Sequence, residues 1–453
     1  MSDPFDPIEQ WLSADVELMP PRAGAFDQVH RRARRRKAAV ATMTAAGAAV
    51  VIAAAVTVPQ LASALLPGHG GGGPDRVVPQ TSSSQHSGPS PSRSGHPSPH
   101  RSSGSPSSPA GQLAILGSSV APDARFEPTS ITFVNDSVGA VLGRSTAGCP
   151  AGSAGPCTVV AGTTNYGQSW TKVDAPAAGP PSGSSGVSQV RFLNGDDGWA
   201  FGPELYATHS GGKTWTKITG LGGRVIDLST IDLRAYAVVA TCSGSGSDFA
   251  GGCTRFSLFS SAYNSDDWQP VRGVTNVTVK QPVRPGGLQL TGQYGYLLAG
   301  STLFAGSPSG GSWQRVSPSS GPVPACLSGS GPSGVIAPGE NSDLYLICQG
   351  TLYSSIDAGQ TWQKSGPFTG EPTSLAVAPS SGTLVAATGA GIFYSTDQRT
   401  WKRAGTGSGP AGGFSFVGMT TTTRGVAIPA DASLREILIT GDGGLTWAAK
   451  AIS

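Results

Sequence analysis

A tryptophan preceded by a short polar turn returns seven times between residues 163 and 447. The clearest copies read SIDAGQTW (Ser355 to Trp362) and TGDGGLTW (Thr440 to Trp447), with TTNYGQSW (Thr163 to Trp170) and THSGGKTW (Thr208 to Trp215) close behind. Three copies are worn: SAYNSDDW ends at Trp268, GSPSGGSW at Trp313, and STDQRTW, one residue short, carries Asp397 and ends at Trp401. Successive tryptophans lie 45, 53, 45, 49, 39 and 46 residues apart. A period of that length is one supersecondary unit that buries its faces only against its neighbours, so the chain must stack or close such units into an array.

The residue types explain the turn. Gly167, Gly212, Gly359 and Gly444 stand five places into the good copies, where a tight hairpin turn requires positive φ and glycine adopts it without steric cost. Asn165, Asp357 and Asp442 fold a side-chain oxygen back onto nearby backbone N–H groups, and Thr163, Thr208, Ser355 and Thr440 do the same two residues earlier. These side chains are expected to staple the turn. The tryptophan opens the next strand, burying its ring against a neighbouring sheet while its indole N–H takes an acceptor. Strands of hydrophobic alternation, broken by Gly/Asp turns, are expected before each turn: SQVRF, WAFG, ELYATHS and TWTKI in the second unit, TSLAVA, GTLVAAT, GIFYST and TWKRA in the sixth.

The template Ser/Thr-x-Asp-x-Gly-x-Thr/Ser-Trp resembles the Asp-box, or bacterial neuraminidase repeat, the stretch from about Thr129 to the C-terminus resembles the propellers that carry it, and the propeller domain is expected over residues 113–453. The resemblance implies an all-β, seven-bladed β-propeller with four strands per blade and the boxes at the blade periphery, away from the central mouth. The Gly198-Trp199 phrase is similar to the propellers of the photosystem II stability and assembly factor family.

Upstream, six basic residues (Arg31, Arg32, Arg34, Arg35, Arg36, Lys37) abut an uncharged run, 38–66. That run is long enough for a bilayer, which takes roughly 20 residues, and the basic flank predicts a single-pass span with the N-terminus cytoplasmic and the propeller extracellular. A cleaved signal peptide, suggested by Ala62-Ser-Ala64, is the competing expectation. Residues 67–112 are Ser, Pro, Gly and His with hardly an aliphatic side chain, and are expected to form a disordered linker. In the tail, 1–37, a helix start at Asp6-Pro-Ile-Glu9 places Ile8, Trp11, Leu12 and Val16 on one face, which lies on the inner leaflet or docks a cytoplasmic partner.

The six cysteines fall as local pairs: Cys149 with Cys157, Cys242 with Cys253, and Cys326 with Cys348. An even number outside the cytoplasm favours disulfides. Six cysteines permit fifteen connectivities, but the first two pairs each flank a Gly/Ser-rich loop between adjacent strands, and the third brackets the first two strands of blade five. No CxxC spacing points to zinc, and no metal or cofactor is expected.

Residues 113–453 carry 20 basic and 20 acidic side chains, a neutrality that argues against nucleic acid. The sialidase family's Arg-Ile-Pro motif is replaced by Arg125-Phe-Glu-Pro128, and nothing in the spacing gathers Arg191, Arg224, Arg255 and Arg284 at one centre. The adjacent pairs Asp196-Asp197 and Asp266-Asp267 are candidates for carboxylate-driven glycoside hydrolysis, with turn formation as the plainer role. Outside the linker, His209 is the one histidine beyond residue 112 and sits in a box turn, which disposes of an ordinary Ser-His-Asp arrangement. The expected function is a membrane-anchored binding or assembly scaffold for an extracellular protein or glycan, and the alternative is a sialidase-like glycoside hydrolase. Transmembrane signalling through residues 1–37 is the third reading.

Overall fold

The computed structural model describes residues 122–452, apart from 124, 148, 150–154, 243–252, 330–333 and 408–411. The expected tail, span and linker, together with the start of the expected propeller domain at 113–121, lie outside the described residues. Among the described residues no helix is long and apolar enough to cross a membrane.

Seven antiparallel sheets follow one another along the chain, spanning 127–173, 189–218, 224–278, 288–315, 335–367, 372–403 and 414–451. In each, four strands lie side by side in sequence order; the third blade adds Val277–Thr278 along its third strand. First strands of successive blades touch from blade 1 through blade 7, while fourth strands are short and mostly exposed. The first strands therefore surround the axis and the fourth strands form the rim: an all-β, seven-bladed propeller.

Simple alternation does not describe the second strands. Asp197–Phe201, Gly295–Ala299, Leu344–Cys348, Leu384–Thr388 and Gly425–Pro429 are buried at every residue. Each lies between two strands of its own sheet and beneath a blade on either face, so a continuous small-apolar run suits it better than an alternating one. The core is accordingly divided into seven clusters, one between each pair of neighbouring blades.

The ring closes without a shared strand, since blades 1 and 7 each contain four of their own. Ile131, Val159 and Trp170 of blade 1 pack with Val426, Ile428 and Ile437 of blade 7. Over this apolar seam the Tyr166 hydroxyl donates to the Gly425 and Thr440 carbonyls (3.0 and 3.4 Å), and its ring sits 4.5 Å beneath the Arg424 guanidinium. Arg424 also donates to the Asp136 carbonyl of blade 1.

Polar ties join several first strands. Where a bulge interrupts the strand, the following side chain reaches the next blade: Ser130 accepts from Val190 N–H (3.1 Å), Asp227 from Leu288 N–H (2.9 Å), and Ser374 donates to the Val417 carbonyl (3.1 Å). A β-bulge re-aims one side chain, here across the gap between sheets.

Candidate functional site

Each repeated turn joins the third strand of its blade to the fourth, at the outer hairpin. In the fifth corner Ser355 Oγ accepts from Gly359 N–H (2.8 Å) and donates to Asp357 (2.8 Å), whose carboxylate accepts from Thr361 N–H (2.8 Å) and hydroxyl (2.6 Å). Thr440, Asp442, Gly444 and Thr446 repeat this arrangement, and Thr163, Asn165, Gly167 and Ser169 repeat it with an amide. In the second corner Ser210 takes the acid's place, bonding Thr214, while Thr208 accepts from Gly212. The shortened sixth corner keeps Asp397, which accepts from the Arg399 and Thr400 N–H groups and from Ser395. Those backbone donors hold the Asp397 carboxyl well below the usual range. Burial pushes Asp357 and Asp442 up, but the hydrogen bonds from their Thr and Ser partners outweigh it and hold both below their ordinary value.

The glycines adopt positive φ as their position requires: 74° at Gly167, 89° at Gly212, 86° at Gly359 and 94° at Gly444. The preceding residue does too, and at Tyr166 and Ala358 it is not glycine.

Every corner tryptophan enters the cluster shared with the preceding blade: Trp170, Trp268, Trp313, Trp362 and Trp447 are buried, Trp215 and Trp401 half-buried. The expected indole acceptor is found at two of the seven. Trp215 donates to the Asp174 carbonyl (3.0 Å) and Trp447 to the Gly444 carbonyl (2.9 Å), whereas Trp170, Trp268, Trp313, Trp362 and Trp401 have no protein acceptor among the described residues. The rings act first as apolar pegs between two sheets.

Antiparallel order gives the blades two unlike ends. First-to-second turns and tryptophan corners emerge at one, where no connection exceeds seven residues. Second-to-third loops and blade-to-blade links emerge at the other, including 146–156, 174–188, 242–254, 316–334 and 404–413. All three disulfides, Cys149–Cys157, Cys242–Cys253 and Cys326–Cys348, lie at this second end with the expected pairing. So do several cations of blade 3: Arg255 begins its third strand, and the link running beside Cys253 and Thr254 carries Lys280 and Arg284. A cleft of about 390 Å³ between blades 2 and 3 adjoins them, lined by Leu205, Ile218, Arg224 and Cys242 and by the Lys217–Glu204 ion pair (2.5 Å). Burial raises the Glu204 carboxyl, but Lys217 holds it below its usual value.

The arginines named in the sequence divide between two places. Arg224, Arg255 and Arg284 belong to the disulfide end of blade 3, whereas Arg191 lies near the axis. Its guanidinium donates to Ser130 of blade 1 (3.3 Å) and sits 5.8 Å over Phe416 of blade 7. Burial lowers the Arg191 pKa and raises that of Asp227 on blade 3; each charge opposes the other's shift, without an ion-pair contact.

The adjacent acid pairs do not act as pairs. Asp197 accepts from Asn194 (2.8 Å) and contacts His209 Nδ1 (2.8 Å), while His209 Nε2 faces Asp266 of the next blade at 3.5 Å. This Asp197-His209-Asp266 bridge was not foreseen, because its third member is supplied by another repeat. Asp267 instead accepts from Gln269 (2.6 Å). No group of three or more His, Cys, Asp or Glu able to hold a metal ion occurs among the described residues.

A family model described as the DUF6242 beta propeller domain matches residues 293–427. Among curated proteins, none matches the chain. Similar solved structures include YCF48 from Cyanidioschyzon merolae, at 16% identity over 71% of this chain and 97% of that one with a TM-score of 0.49. YCF48 bound to D1 peptide follows at 15% identity over 72% and 93% with a TM-score of 0.46. PorZ, a surface component of the type-IX secretion system of Porphyromonas gingivalis, is 12% identical over 74% of this chain and 39% of that one, with a TM-score of 0.45. Likeness at this level carries no inference about function.

Proposed function

We propose that the chain is a membrane-displayed binding or assembly scaffold whose seven corners are Asp-boxes of the neuraminidase-repeat type. In this reading residues 38–66 anchor it, residues 1–37 stay cytoplasmic, and residues 67–112 hold the propeller off the membrane. Its partner is an extracellular protein or glycan presenting acidic groups, engaged by the disulfide end of blades 2 and 3. One observation supports this most: the long connections, all three disulfides and the Arg255, Lys280 and Arg284 cations share one end of the ring. Loops held on a rigid scaffold are where binding residues concentrate, and disulfides reduce the ordering cost of such loops. The stapled corners at Asn165, Asp357, Asp397 and Asp442 serve stability instead, since their side-chain hydrogen bonds close within the turn.

Photo-crosslinking residues introduced at Arg284 and, separately, at Gln168 on the corner end test the assignment on intact cells. Products from position 284 that disappear with Lys280→Glu support it; products from position 168 alone contradict it. Turnover of sialosides or other glycosides by purified protein, abolished by a single carboxylate substitution, would overturn the scaffold reading in favour of a hydrolase.

A further inference from the structure

The two adjacent worn corners coincide with an opening in the rim. In corners three and four the acid position is held by Tyr263 and Pro308, so no carboxylate closes the turn. Gly310 and Gly311 are exposed, at φ of 114° and 131°, and a Cβ on either would meet no atom within 4 Å. Between these corners lies a cleft of about 510 Å³, on the face opposite the disulfides, with Tyr236 fixed at its base by a bond to the Pro308 carbonyl (2.7 Å).

Arg234 and Arg272 are among its lining residues. Arg234 bonds Ser260 (3.4 Å), and neither Arg234 nor Arg272 has a carboxylate within ion-pair distance among the described residues. Asp267, with its Oδ1 held by Gln269, is the one acid of the lining, so the cleft carries a net positive charge. Ser265, Ser312 and Gln269 add hydroxyl and amide groups. The volume falls within the range of small-molecule sites. An arginine fork matches a planar carboxylate, and hydroxyls, an amide and an acid match a polyol.

We propose that the cleft between blades 3 and 4 binds a saccharide bearing a carboxylate, its acid group at Arg234 and Arg272 and its hydroxyls at Asp267, Gln269 and Ser312. The site is separate from the scaffold face: its residues belong to the opposite end of the blades. Loss of the acid staples in two consecutive repeats is then the means by which the cleft opens.

Titration calorimetry of the full chain with α-1,4-trigalacturonate, neutral galactotriose and inorganic sulfate tests it. Trigalacturonate is expected to bind at least about tenfold more tightly than galactotriose, the scale of one charge-assisted hydrogen bond. Arg272→Gln and Ser312→Glu, both at exposed positions, are expected to weaken binding by about tenfold or more at unchanged melting temperature, while Lys402→Gln on the exposed fourth strand of blade 6 leaves it intact. Absence of trigalacturonate binding, equal affinity for the neutral sugar, displacement by equimolar sulfate, or indifference to both cleft substitutions each overturns the proposal.

Discussion

Removing the Tyr166 side chain isolates what holds blade 7 to blade 1. The residue is 9% exposed, its ring lies 4.9 Å from Phe133 and 4.5 Å from the Arg424 guanidinium, and its hydroxyl bonds the Gly425 carbonyl. A buried aromatic ring removes about 150–250 Å² from water, which at ~25 cal/mol per Å² is about 4–6 kcal/mol; measured aromatic-to-alanine losses of roughly 3–5 kcal/mol agree. The hydroxyl contributes about 1 kcal/mol. Tyr166→Ala should therefore destabilise the propeller by about 4–5 kcal/mol and Tyr166→Phe by about 1 kcal/mol. Alanine inherits the same φ of 55°, so backbone strain does not enter the comparison. By scanning calorimetry, at about 2 °C per kcal/mol for a domain of this size, the two variants should melt roughly 8–10 °C and roughly 2 °C below the parent. Equal losses for Phe and Ala would show that the hydroxyl and not the ring closes the seam. A loss under about 1 kcal/mol for Ala would show that this junction bears no load.

Asp357 and Asp442 have depressed pKa values, so their contribution is complete above the ordinary carboxylate value of about 3.9 and is lost as pH falls through the lower folded values. The melting-temperature gap between the parent and an Asp357→Ala/Asp442→Ala variant should be constant near neutrality and narrow below about pH 4; a gap that widens there contradicts the staple assignment. Asp227→Ala strands the buried Leu288 N–H and should cost about 1–3 kcal/mol in thermal or urea unfolding, whereas Asp227→Asn, which keeps an acceptor, should cost less. Among the disulfides, separations of 8, 11 and 22 residues rank their effect on the unfolded chain. Replacing the Cys326–Cys348 pair by serines should destabilise more than replacing Cys149–Cys157, by about 1 kcal/mol from loop entropy, and the reverse order refutes that account.

Blade number, the glycine places and the local disulfides were legible because each is written within one repeat. Seven tryptophans give seven sheets, and Cys242 and Cys253 flank a single loop. The second strands were read correctly in place but not in pattern, since burial under two neighbouring blades replaces alternation with a continuous apolar run. What was not legible depends on two blades at once. Ser130, Asp227 and Ser374 become ties only when a bulge turns them toward the next sheet. His209 gains Asp266, and Arg191 reaches Ser130 and Phe416, through ring geometry that no single repeat encodes. The missing indole acceptors have the same origin, because a peg's surroundings belong to the blade before it.

The most direct test of ring closure is the distance between spin labels at Asp136 on blade 1 and Thr423 on blade 7, measured by pulsed electron paramagnetic resonance. Arg424 touching the Asp136 carbonyl predicts a single narrow distribution at the short-distance limit of the method. A broad distribution, or one at several tens of ångströms as an open arc of seven sheets requires, would contradict the closed propeller.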